Sequence, residues 1–333
     1  MRGSSGCARS GMNGHPRVAI TCGEPTGVGP EVTLGALSSM DLEGAGVILV
    51  GPAGVWRKAG ETQGKVQPDF RRIVEPEGVP FSDYTFGKMT AKTAKMATLS
   101  LEKAIGMVLS GEADALVTAP LSKEGLKLSG REFPGHTELL GAACGVKSPT
   151  MLFAGGSFFV SLVTTHFPLR EVPGHITAEN ILSTVRNTYG FLAGLGMERP
   201  RIAVCGLNPH AGENGLLGDE ELRVIGPAVE AARGEGMDVT GPFPADALFY
   251  RASKGGCDAV VAMYHDQGLA PFKLLHFHDG VNVTLGLPII RTSPDHGTAP
   301  DIAGKGIADP SSMREAIKLA IRMAQSRNRQ QAK

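Results

Sequence analysis

Short apolar runs rich in β-branched residues alternate along the chain with longer segments in which apolar residues recur every three or four positions. In the longest of these segments, 91–110, Ala94, Ala97 and Leu101 share one apolar face, which predicts an amphipathic helix. Further helices are predicted over 31–39, 177–195, 219–233 and 311–325. Strands are predicted over 18–21, 46–50, 115–118, 150–153, 159–163, 202–205, 259–263 and 281–284. This alternation is typical of an α/β protein with a largely parallel sheet.

No repeat, charge block or Gly/Ser/Pro-rich linker divides this pattern. We therefore expect residues 17–330 to form a single unit of two interleaved α/β lobes with a cleft between them. The residues before it, 1–16, contain no apolar run, and we interpret them as a disordered leader that is not a signal peptide.

The composition excludes several classes of protein. The 333 residues are 42% hydrophobic and 20% charged, which fits neither a disordered chain nor a coiled coil. The 33 Lys and Arg residues balance the 33 Asp and Glu residues, so no basic excess favours nucleic acid or an anionic membrane. No apolar run reaches the ~18 residues of a membrane-spanning helix. The 5 cysteines form no CxxC pair, so we expect a cytoplasmic protein with reduced thiols.

A glycine-rich loop, GEPTGVGPE (23–31), follows the first predicted strand and leads into a helix with a proline at its start. Its spacing matches neither the dinucleotide fingerprint G-x-G-x-x-G nor the phosphate loop G-x-x-x-x-G-K-[ST]. Two interpretations remain open at this stage: a tight strand-to-helix turn, or an anion site at the helix N-terminus.

A second loop, FPGHTE (133–138), turns on Pro-Gly before a predicted helix. His136 and Thr137 would place an imidazole and a hydroxyl beside unpaired backbone N–H groups, which suits a phosphate or a carboxylate. Alternatively, Thr137 only caps a helix that begins at Glu138. The residues themselves favour neither interpretation.

Three of the nine histidines stand just beyond predicted strands, in polar surroundings: His166, His210 and His265. A single histidine in such a position is more often a hydrogen-bonded structural residue than a ligand. Three at equivalent positions can meet, because the carboxyl ends of parallel strands lie at one edge of a sheet. Three neutral imidazoles with one open position are typical of a catalytic zinc or a similar divalent ion. Their spacing matches no short metal motif, so the hypothesis depends on the fold.

Beyond the third histidine, polar residues interrupt a stretch of small and apolar residues. Asp266 either orients a neighbouring ligand, accepts a proton or caps a helix. Lys273 and Arg291 would neutralise a substrate carboxylate or phosphate, and Asn282 would serve as a neutral donor. The loop 295–308 consists of small, rigid residues, so a flat ring or a ribose can pack against its backbone. A surface Ω-loop would have the same composition.

The ordered set of motifs resembles one family, the 4-hydroxythreonine-4-phosphate dehydrogenases of pyridoxal phosphate biosynthesis. The likeness extends over roughly residues 17 to 325. The matching stretches are GEPTGVGPE (23–31), VTAPLSK (117–123), PGHTELL (134–140), TTHFPLR (164–170), GLNPHAGENGLLGDEE (206–221), GPFPADALF (241–249), AMYHDQGL (262–269) and GVNVTLGLPIIRTSPDHGT (280–298). The stretch HGTAPDIAGKGIADP (296–310) is also similar to the cofactor loop of isocitrate and isopropylmalate dehydrogenases. That likeness implies their two-lobed architecture with an active-site cleft between the lobes.

The resemblance also implies a role for each matching residue. Metal ligands would be His166, His210 and His265; substrate ligands would be His136, Thr137, Lys273, Asn282 and Arg291. Cofactor contacts would come from His296, Gly297, Thr298, Ala299, Asp301 and Ile302. The candidates for proton transfer are Lys273, Asp266 and, in the stretch GPFPADALF, Asp246. The implied cofactors are NAD or NADP and a divalent ion (zinc, cobalt or magnesium), in a homodimer whose metal site is shared between the two chains.

The implied reaction oxidises the 3-hydroxyl of 4-phosphooxy-L-threonine and then releases CO₂, giving 3-amino-2-oxopropyl phosphate. A related alternative is a dehydrogenase of 4-phospho-D-threonate or 4-phospho-D-erythronate in sugar-acid catabolism. An alternative of another class is a metal-dependent hydrolase or aldolase that uses the histidines without nicotinamide. Segment 51–90 is shorter than in some members of the family, and we expect it to lie away from the chemistry.

Overall fold

The structure is a computed structural model that describes residues 15–63, 72–131, 133 and 135–331. The described residues form one sheet of 11 strands in the order β3-β2-β1-β4-β11-β10-β5-β6-β9-β7-β8. The strands are β1 Arg17–Thr21, β2 Gly46–Val50, β3 Ile73–Val74, β4 Ala115–Val117, β5 Thr150–Ala154, β6 Phe159–Leu162, β7 Arg201–Cys205, β8 Asp238–Phe243, β9 Ala259–Ala262, β10 Val281–Leu285 and β11 Ile290–Pro294.

Helices cover both faces of this sheet. They are α1 Gly29–Leu37, α2 Ala53–Thr62, α3 Ala91–Leu109, α4 Lys123–Leu128, α5 His136–Cys144, α6 Val172–His175, α7 Ala178–Gly194, α8 Gly226–Gly234, α9 Ala245–Ser253, α10 His265–His276 and α11 Ser311–Gln331. A 3₁₀ turn over Pro209–Gly212 follows β7, and a π-helical turn over Glu221–Ile225 leads into α8.

The sheet consists of two parallel blocks that run in opposite directions. Strands β3, β2, β1, β4 and β11 are mutually parallel, and so are β6, β9, β7 and β8. Between the blocks, the pairings β11–β10, β10–β5 and β5–β6 are antiparallel. This confirms the predicted α/β class with a largely parallel sheet. It also places the carboxyl ends of β6, β9 and β7 at one common edge.

The two faces of the sheet are packed differently. On one face, α1, α2, α7, α8 and α11 bury a continuous apolar core. On the other face the apolar side chains form two separate clusters, one under α3, α4 and α5 and one under α9 and α10. Arg291 of β11 pairs with Leu116 of the first cluster, and Asn282 of β10 pairs with Phe153 of the second. Because paired residues share a face, these polar side chains occupy the gap between the two clusters.

The eight predicted strands are all present, with ends that differ by one residue at most. Strands β3, β8 and β11 were not predicted, and neither were several of the shorter helices. The helix predicted over 219–233 is a π-helical turn followed by α8. The division of 17–330 into two interleaved lobes stays a prediction. Most of the predicted leader over 1–16 lies outside the described residues. In the part of the chain that the structure describes, no helix is both long and apolar enough to cross a membrane.

Candidate active site

The gap between the two apolar clusters is a cavity of about 350 Å³. Its walls bring together residues that are far apart in the sequence, including four of the five predicted substrate ligands. These four are Thr137, Lys273, Asn282 and Arg291. One predicted metal ligand, His166, and two predicted cofactor residues, His296 and Gly297, also line the cavity. The side chain of the fifth predicted substrate ligand, His136, lies outside the described part of the structure.

Arg291 is a buried cation in the floor of this cavity, with only 3% of its surface exposed. Its Nε and Nη2 donate to Thr118 Oγ1 (3.1 and 2.6 Å), and its Nη1 donates to Asn282 Oδ1 (3.1 Å) and Thr284 Oγ1 (2.9 Å). Burial lowers the pKa of Arg291 to about 10, so the group remains charged at neutral pH. No carboxylate of the described residues forms an ion pair with it. The cavity therefore contains a fixed positive charge that no described carboxylate pairs with, which is the chemistry of an anion-binding site.

A second cation, Lys273 of α10, forms an ion pair with Asp295 (Nζ to Oδ2, 3.2 Å). Burial raises the pKa of the Asp295 carboxyl, although Lys273 and His296 partly oppose this shift. Asp295 lines the cavity but was not predicted as a site residue. It directly follows β11, the strand that the sequence pattern did not indicate.

The structure decides between the two interpretations of the loop 133–138. Helix α5 begins at His136, its N-cap residue is Gly135, and no side chain caps it. Thr137 is therefore inside the helix and does not cap it, and it lines the cavity. Two further cavity residues, Lys123 and Glu138, were missed by sequence reasoning, although both lie in the quoted family motifs.

Two of the three predicted metal ligands lie side by side. The ring centroids of His166 and His265 are 5.7 Å apart, and both side chains line a second cavity of about 470 Å³. His265 donates from Nδ1 to Asp266 Oδ1 (2.7 Å), so a neutral His265 carries its free lone pair on Nε2. Burial lowers the pKa of His166, and the charges of Lys123 and His265 lower it further. Both imidazoles are thus suited to bind a cation.

The third predicted ligand, His210, is not part of this pair. It follows β7 at the same edge of the sheet, but its side chain is 70% exposed and faces Glu213 (4.0 Å). Across residues 15–63, 72–131, 133 and 135–331, no three His, Cys, Asp or Glu side chains form a group that could hold a metal ion. The three-histidine site therefore stays a prediction, and the fold of a single chain does not assemble it.

The candidate proton-transfer residues lie in three different places. Lys273 is in the first cavity, and Asp266 lies beside His265 with its side chain 87% exposed. Asp246 is an exposed residue in the first turn of α9, a helix that packs beside the 3₁₀ turn carrying His210. Only Lys273 among the three lines the cavity of the described chain that holds Arg291.

The predicted cofactor loop is held in place by the glycine loop 23–31. Val28 N donates to Thr298 O (2.9 Å), and a Cβ on Gly27 would lie 2.6 Å from the same oxygen. Glu31, buried in α1, accepts hydrogen bonds from Gly304 N (3.0 Å) and, more weakly, from the N–H of Ala308 (3.4 Å). The glycine loop is thus a tight strand-to-helix turn that supports the segment 296–308.

The expectation that segment 51–90 lies away from the predicted site is wrong for its last residues. Gly87 N donates to Thr26 O (2.8 Å), and a Cβ on Gly87 would lie 2.7 Å from Pro300 O. Phe86 packs against Gly304 in the same loop. The physical reason is the aromatic cluster of Phe86 and Tyr84, which buries this segment against the loop that contains Ala299, Asp301 and Ile302.

Comparison with known proteins agrees with this arrangement. Residues 47–320 match the family model of the pyridoxal phosphate biosynthetic protein PdxA. The chain is 46% identical to a 4-hydroxythreonine-4-phosphate dehydrogenase of Desulfosudis oleivorans, covering 94% of this chain and 97% of the relative. It is 42% identical to a D-threonate 4-phosphate dehydrogenase of Salmonella typhimurium, covering 92% and 98%.

A solved structure shows the same fold. The crystal structure of a 4-hydroxythreonine-4-phosphate dehydrogenase from Klebsiella pneumoniae superposes with a TM-score of 0.83 at 41% identity. The match covers 93% of this chain and 98% of that one. The chain therefore belongs to the PdxA family of pyridoxal phosphate biosynthetic proteins.

Proposed function

We propose that this protein is a nicotinamide- and metal-dependent dehydrogenase that oxidises 4-phosphooxy-L-threonine at its 3-hydroxyl. The product β-keto acid then loses CO₂ to give 3-amino-2-oxopropyl phosphate. The observation that carries the proposal is the cavity in which Arg291, buried and without an anionic partner, meets Lys273, Thr137 and His166. A substrate with a phosphate and a carboxylate would supply an anionic partner for Arg291.

Arg291 contributes one directed donor as well as its charge. Four of its hydrogen bonds go to Thr118, Asn282 and Thr284, so one Nη2–H of the five N–H groups remains for a substrate oxygen. Because the guanidinium is already held by these bonds, it loses little freedom when the substrate binds. Thr137 and Lys123 also line the cavity and would provide further donors for the second anionic group.

The histidines fit a divalent cation of the kind that imidazole prefers. His166 and His265 would hold the ion, with His210 of a second copy of the chain as the third ligand. Asp266 would orient His265, because a carboxylate that accepts from one ring nitrogen fixes the other as the ligand. When bound, such an ion acts as a Lewis acid on the substrate hydroxyl.

We propose that the pair Lys273–Asp295 takes the hydroxyl proton. It lines the cavity with Arg291, whereas Asp246 is exposed on α9 and Asp266 is bonded to His265. Burial raises the pKa of Asp295, which makes its carboxylate a better proton acceptor than an exposed one. A nicotinamide bound in the cavity would supply the hydride acceptor that the oxidation of the alcohol to a ketone requires.

The loop 296–302 would hold the cofactor. Its first residues, His296 and Gly297, line the proposed substrate cavity, so they would bring a bound cofactor to the same cavity as the substrate. Thr298 is fixed by the glycine loop, and the following turn contains Ala299, Asp301 and Ile302. We propose a nicotinamide dinucleotide for this position, NAD or NADP.

The second candidate function is oxidation of D-threonate 4-phosphate. It is favoured by the 42% identity to the Salmonella typhimurium enzyme of that name. This substrate also carries a phosphate and a carboxylate, and it differs at C2 by a hydroxyl in place of an amino group. The cavity cations suit both compounds.

The test is a rate measurement with both substrates, followed by the absorbance of reduced nicotinamide. We expect turnover of 4-phosphooxy-L-threonine that chelator abolishes and added zinc, cobalt or magnesium restores. Faster turnover of D-threonate 4-phosphate would support the second candidate. Release of phosphate or aldehyde without reduced nicotinamide would overturn both and support the hydrolase or aldolase alternative.

A further inference from the structure

The loop that carries His210 has an unusual backbone. Four residues other than glycine have positive φ angles here: His210 (54°), Ala211 (51°), Glu213 (45°) and Asn214 (55°). Gly212 between them has a φ of 80°. Side chains with a Cβ rarely adopt this conformation, because Cβ then approaches the following carbonyl. Surrounding contacts must therefore hold the loop in place.

The backbone contacts come from Glu221, at the start of the π-helical turn, while its neighbour Glu220 accepts a further hydrogen bond from Asn208 Nδ2 (2.6 Å). The side chain of Glu221 is buried, with 4% of the residue exposed. Oε1 accepts hydrogen bonds from Leu207 N (2.8 Å) and Asn208 N (2.8 Å), and Oε2 accepts one from Asn208 Nδ2 (3.0 Å). A single carboxylate thus fixes both the backbone and a side chain of the segment immediately before His210.

Two glycines make room for this carboxylate. A Cβ on Gly206 would lie 2.9 Å from Glu221 Oε1, and a Cβ on Gly212 would lie 2.6 Å from Oε2. The carboxylate therefore lies between Gly206, which precedes the left-handed turn, and Gly212 within it, and a larger residue at either position would displace it. Its partners in the described residues are N–H groups of the loop.

A second side chain ties the loop to the neighbouring strand. Gln267 accepts a hydrogen bond from Met263 N (2.7 Å) and donates one to Gly206 O (2.7 Å). Met263 directly follows β9 and precedes His265 by two residues. The segment before His210 is therefore anchored to the segment before His265, which fixes the spacing between the two backbones.

We propose that Glu221 is a positioning residue that presents His210 to a divalent cation. The carboxylate holds the left-handed turn, and the turn directs the imidazole outward from the edge of the sheet. This inference rests on the proposed metal role of His210. It assigns a function to a carboxylate that neither binds substrate nor lines the cavity.

The test is cobalt binding to the metal-free full-length protein, measured by calorimetry and by the visible absorption of Co²⁺. We expect Glu221→Ala to weaken Co²⁺ binding about 10- to 100-fold, the loss typical of removing a residue that orients a ligand. Glu221→Gln keeps one acceptor oxygen but turns a donor toward Asn208, so a smaller loss is expected. Asp219→Ala is the matched control, because Asp219 pairs with Arg223 at the surface.

Other outcomes separate this inference from the proposed function. If Glu221→Ala and Glu221→Gln lower the unfolding temperature but leave Co²⁺ affinity and absorption unchanged, Glu221 is only structural and the inference is overturned. If Glu221→Ala does not fold, Glu221→Gln and Glu221→Asp decide by the same readouts. A His210→Ala variant with normal Co²⁺ affinity would overturn the metal assignment and this inference together. Loss of affinity in His210→Ala but in none of the Glu221 variants would overturn this inference alone.

Discussion

The two polar regions of this molecule differ in how far one chain completes them. Around Arg291, the polar groups are buried, hydrogen-bonded to each other and enclosed between two apolar clusters. At the edge formed by β6, β9 and β7, His166 and His265 form a pair, but His210 is 70% exposed and separate from them. The region around Arg291 is therefore organised as a binding site within one chain. The three histidines, in contrast, do not meet at a common centre.

We infer from this difference that the fold of one chain organises the substrate cavity, whereas the metal site needs a second copy of the chain. A buried guanidinium with four internal hydrogen bonds is organised before any substrate arrives, because its orientation is set by the sheet. His210 is exposed on a strained turn, and we propose that it joins the other two histidines only when a second copy of the chain approaches. We therefore expect changes in the cavity to act within one chain, and changes at the edge to act across two.

The largest effect is expected for Arg291→Met. The change removes the buried cation of the cavity, which no carboxylate of the described residues pairs with, and it leaves oxygens of Thr118, Asn282 and Thr284 without donors. Losing one member of a buried charged hydrogen-bond network costs about 2–5 kcal/mol, so kcat/KM should fall on the order of a thousandfold. Steady-state kinetics with 4-phosphooxy-L-threonine measure this.

Arg291→Lys is the matched control, because lysine keeps the charge but cannot make the same set of bonds. It should recover only part of the loss, since Thr118 and Asn282 are reached from different nitrogens of the guanidinium. Full activity in Arg291→Lys would show that charge alone matters. Full activity in Arg291→Met would contradict the assignment of the cavity as the substrate site.

The next prediction concerns mixtures of two inactive variants, which test whether the histidines of one site come from two chains. His166→Ala and His210→Ala should each lack activity. If the site is shared between copies, their mixture restores one intact site in each mixed dimer. Random pairing makes half of the dimers mixed, so about a quarter of the wild-type rate should return after the subunits exchange.

The matched control is a mixture of His166→Ala and His265→Ala. These two residues lie in one chain with ring centroids 5.7 Å apart, so every mixed dimer retains a damaged site and no activity should return. Recovery of activity in this second mixture would contradict the proposed site, because it would place His166 and His265 of one chain in different sites. No recovery in the first mixture would mean that one chain supplies all three histidines.

The sequence pattern predicted most strands but missed β11, which supplies Arg291 to the cavity. Strand β11 has the sequence IRTSP, in which Arg291 and Ser293 are buried on the cavity side. A pattern search expects apolar residues at such positions and therefore rejects the strand. Strand β8 contains Gly241 and Pro242, which also mask its extended conformation. At β11 the missed strand carries the candidate functional residues, because function demands polar groups in the core.

The site was predictable to different extents in the two regions. Family motifs and charge identified Thr137, Lys273, Asn282 and Arg291, which the structure brings into one cavity. Strand ends correctly suggested that the three histidines share an edge, but not that His210 turns outward. That orientation depends on Glu221, which lies 11 residues further along and acts through its buried carboxylate. Local sequence patterns contain no signal for such a contact.

A smaller effect is expected where the glycine loop supports the proposed cofactor loop. Glu31→Ala removes the buried acceptor for the N–H groups of Gly304 and Ala308. Leaving buried N–H groups without partners costs about 1–3 kcal/mol, and the loop 296–308 should become less ordered. We expect the KM for the nicotinamide cofactor to rise roughly tenfold, while the KM for the phosphorylated substrate changes little.

Cofactor binding to the resting enzyme, measured by fluorescence, provides a readout besides turnover. Glu61→Ala, an exposed residue on the neighbouring α2, is the control and should leave both KM values unchanged. Equal changes in the two KM values would show that Glu31 supports the whole cavity and not the cofactor loop in particular.

The smallest effect is expected for the pH dependence of stability at Glu24, a buried carboxyl group. Burial raises the pKa of Glu24 above its usual 4.5, more than its threonine hydrogen bonds lower it. The unfolded chain therefore releases this proton at lower pH than the folded chain does, so the free energy of unfolding falls as pH rises between the two pKa values. Glutamine has no proton to release.

Glu24→Gln should therefore gain stability relative to the wild type as pH rises. We compare the unfolding temperature of Glu24→Gln with that of the wild type. The variant should compare least favourably near pH ~4, where Glu24 of the wild type keeps its proton in both the folded and the unfolded chain. Toward neutral pH, the variant should gain a few degrees relative to the wild type. Glu124→Gln, an exposed carboxylate on nearby α4, is the control and should give no such trend. A difference between Glu24→Gln and wild type that stays constant from acid to neutral pH would mean that the Glu24 carboxylate is ionised in the fold. Burial would then shift the pKa of Arg291 but not that of Glu24, and burial alone could not explain how the groups around Arg291 are organised within one chain.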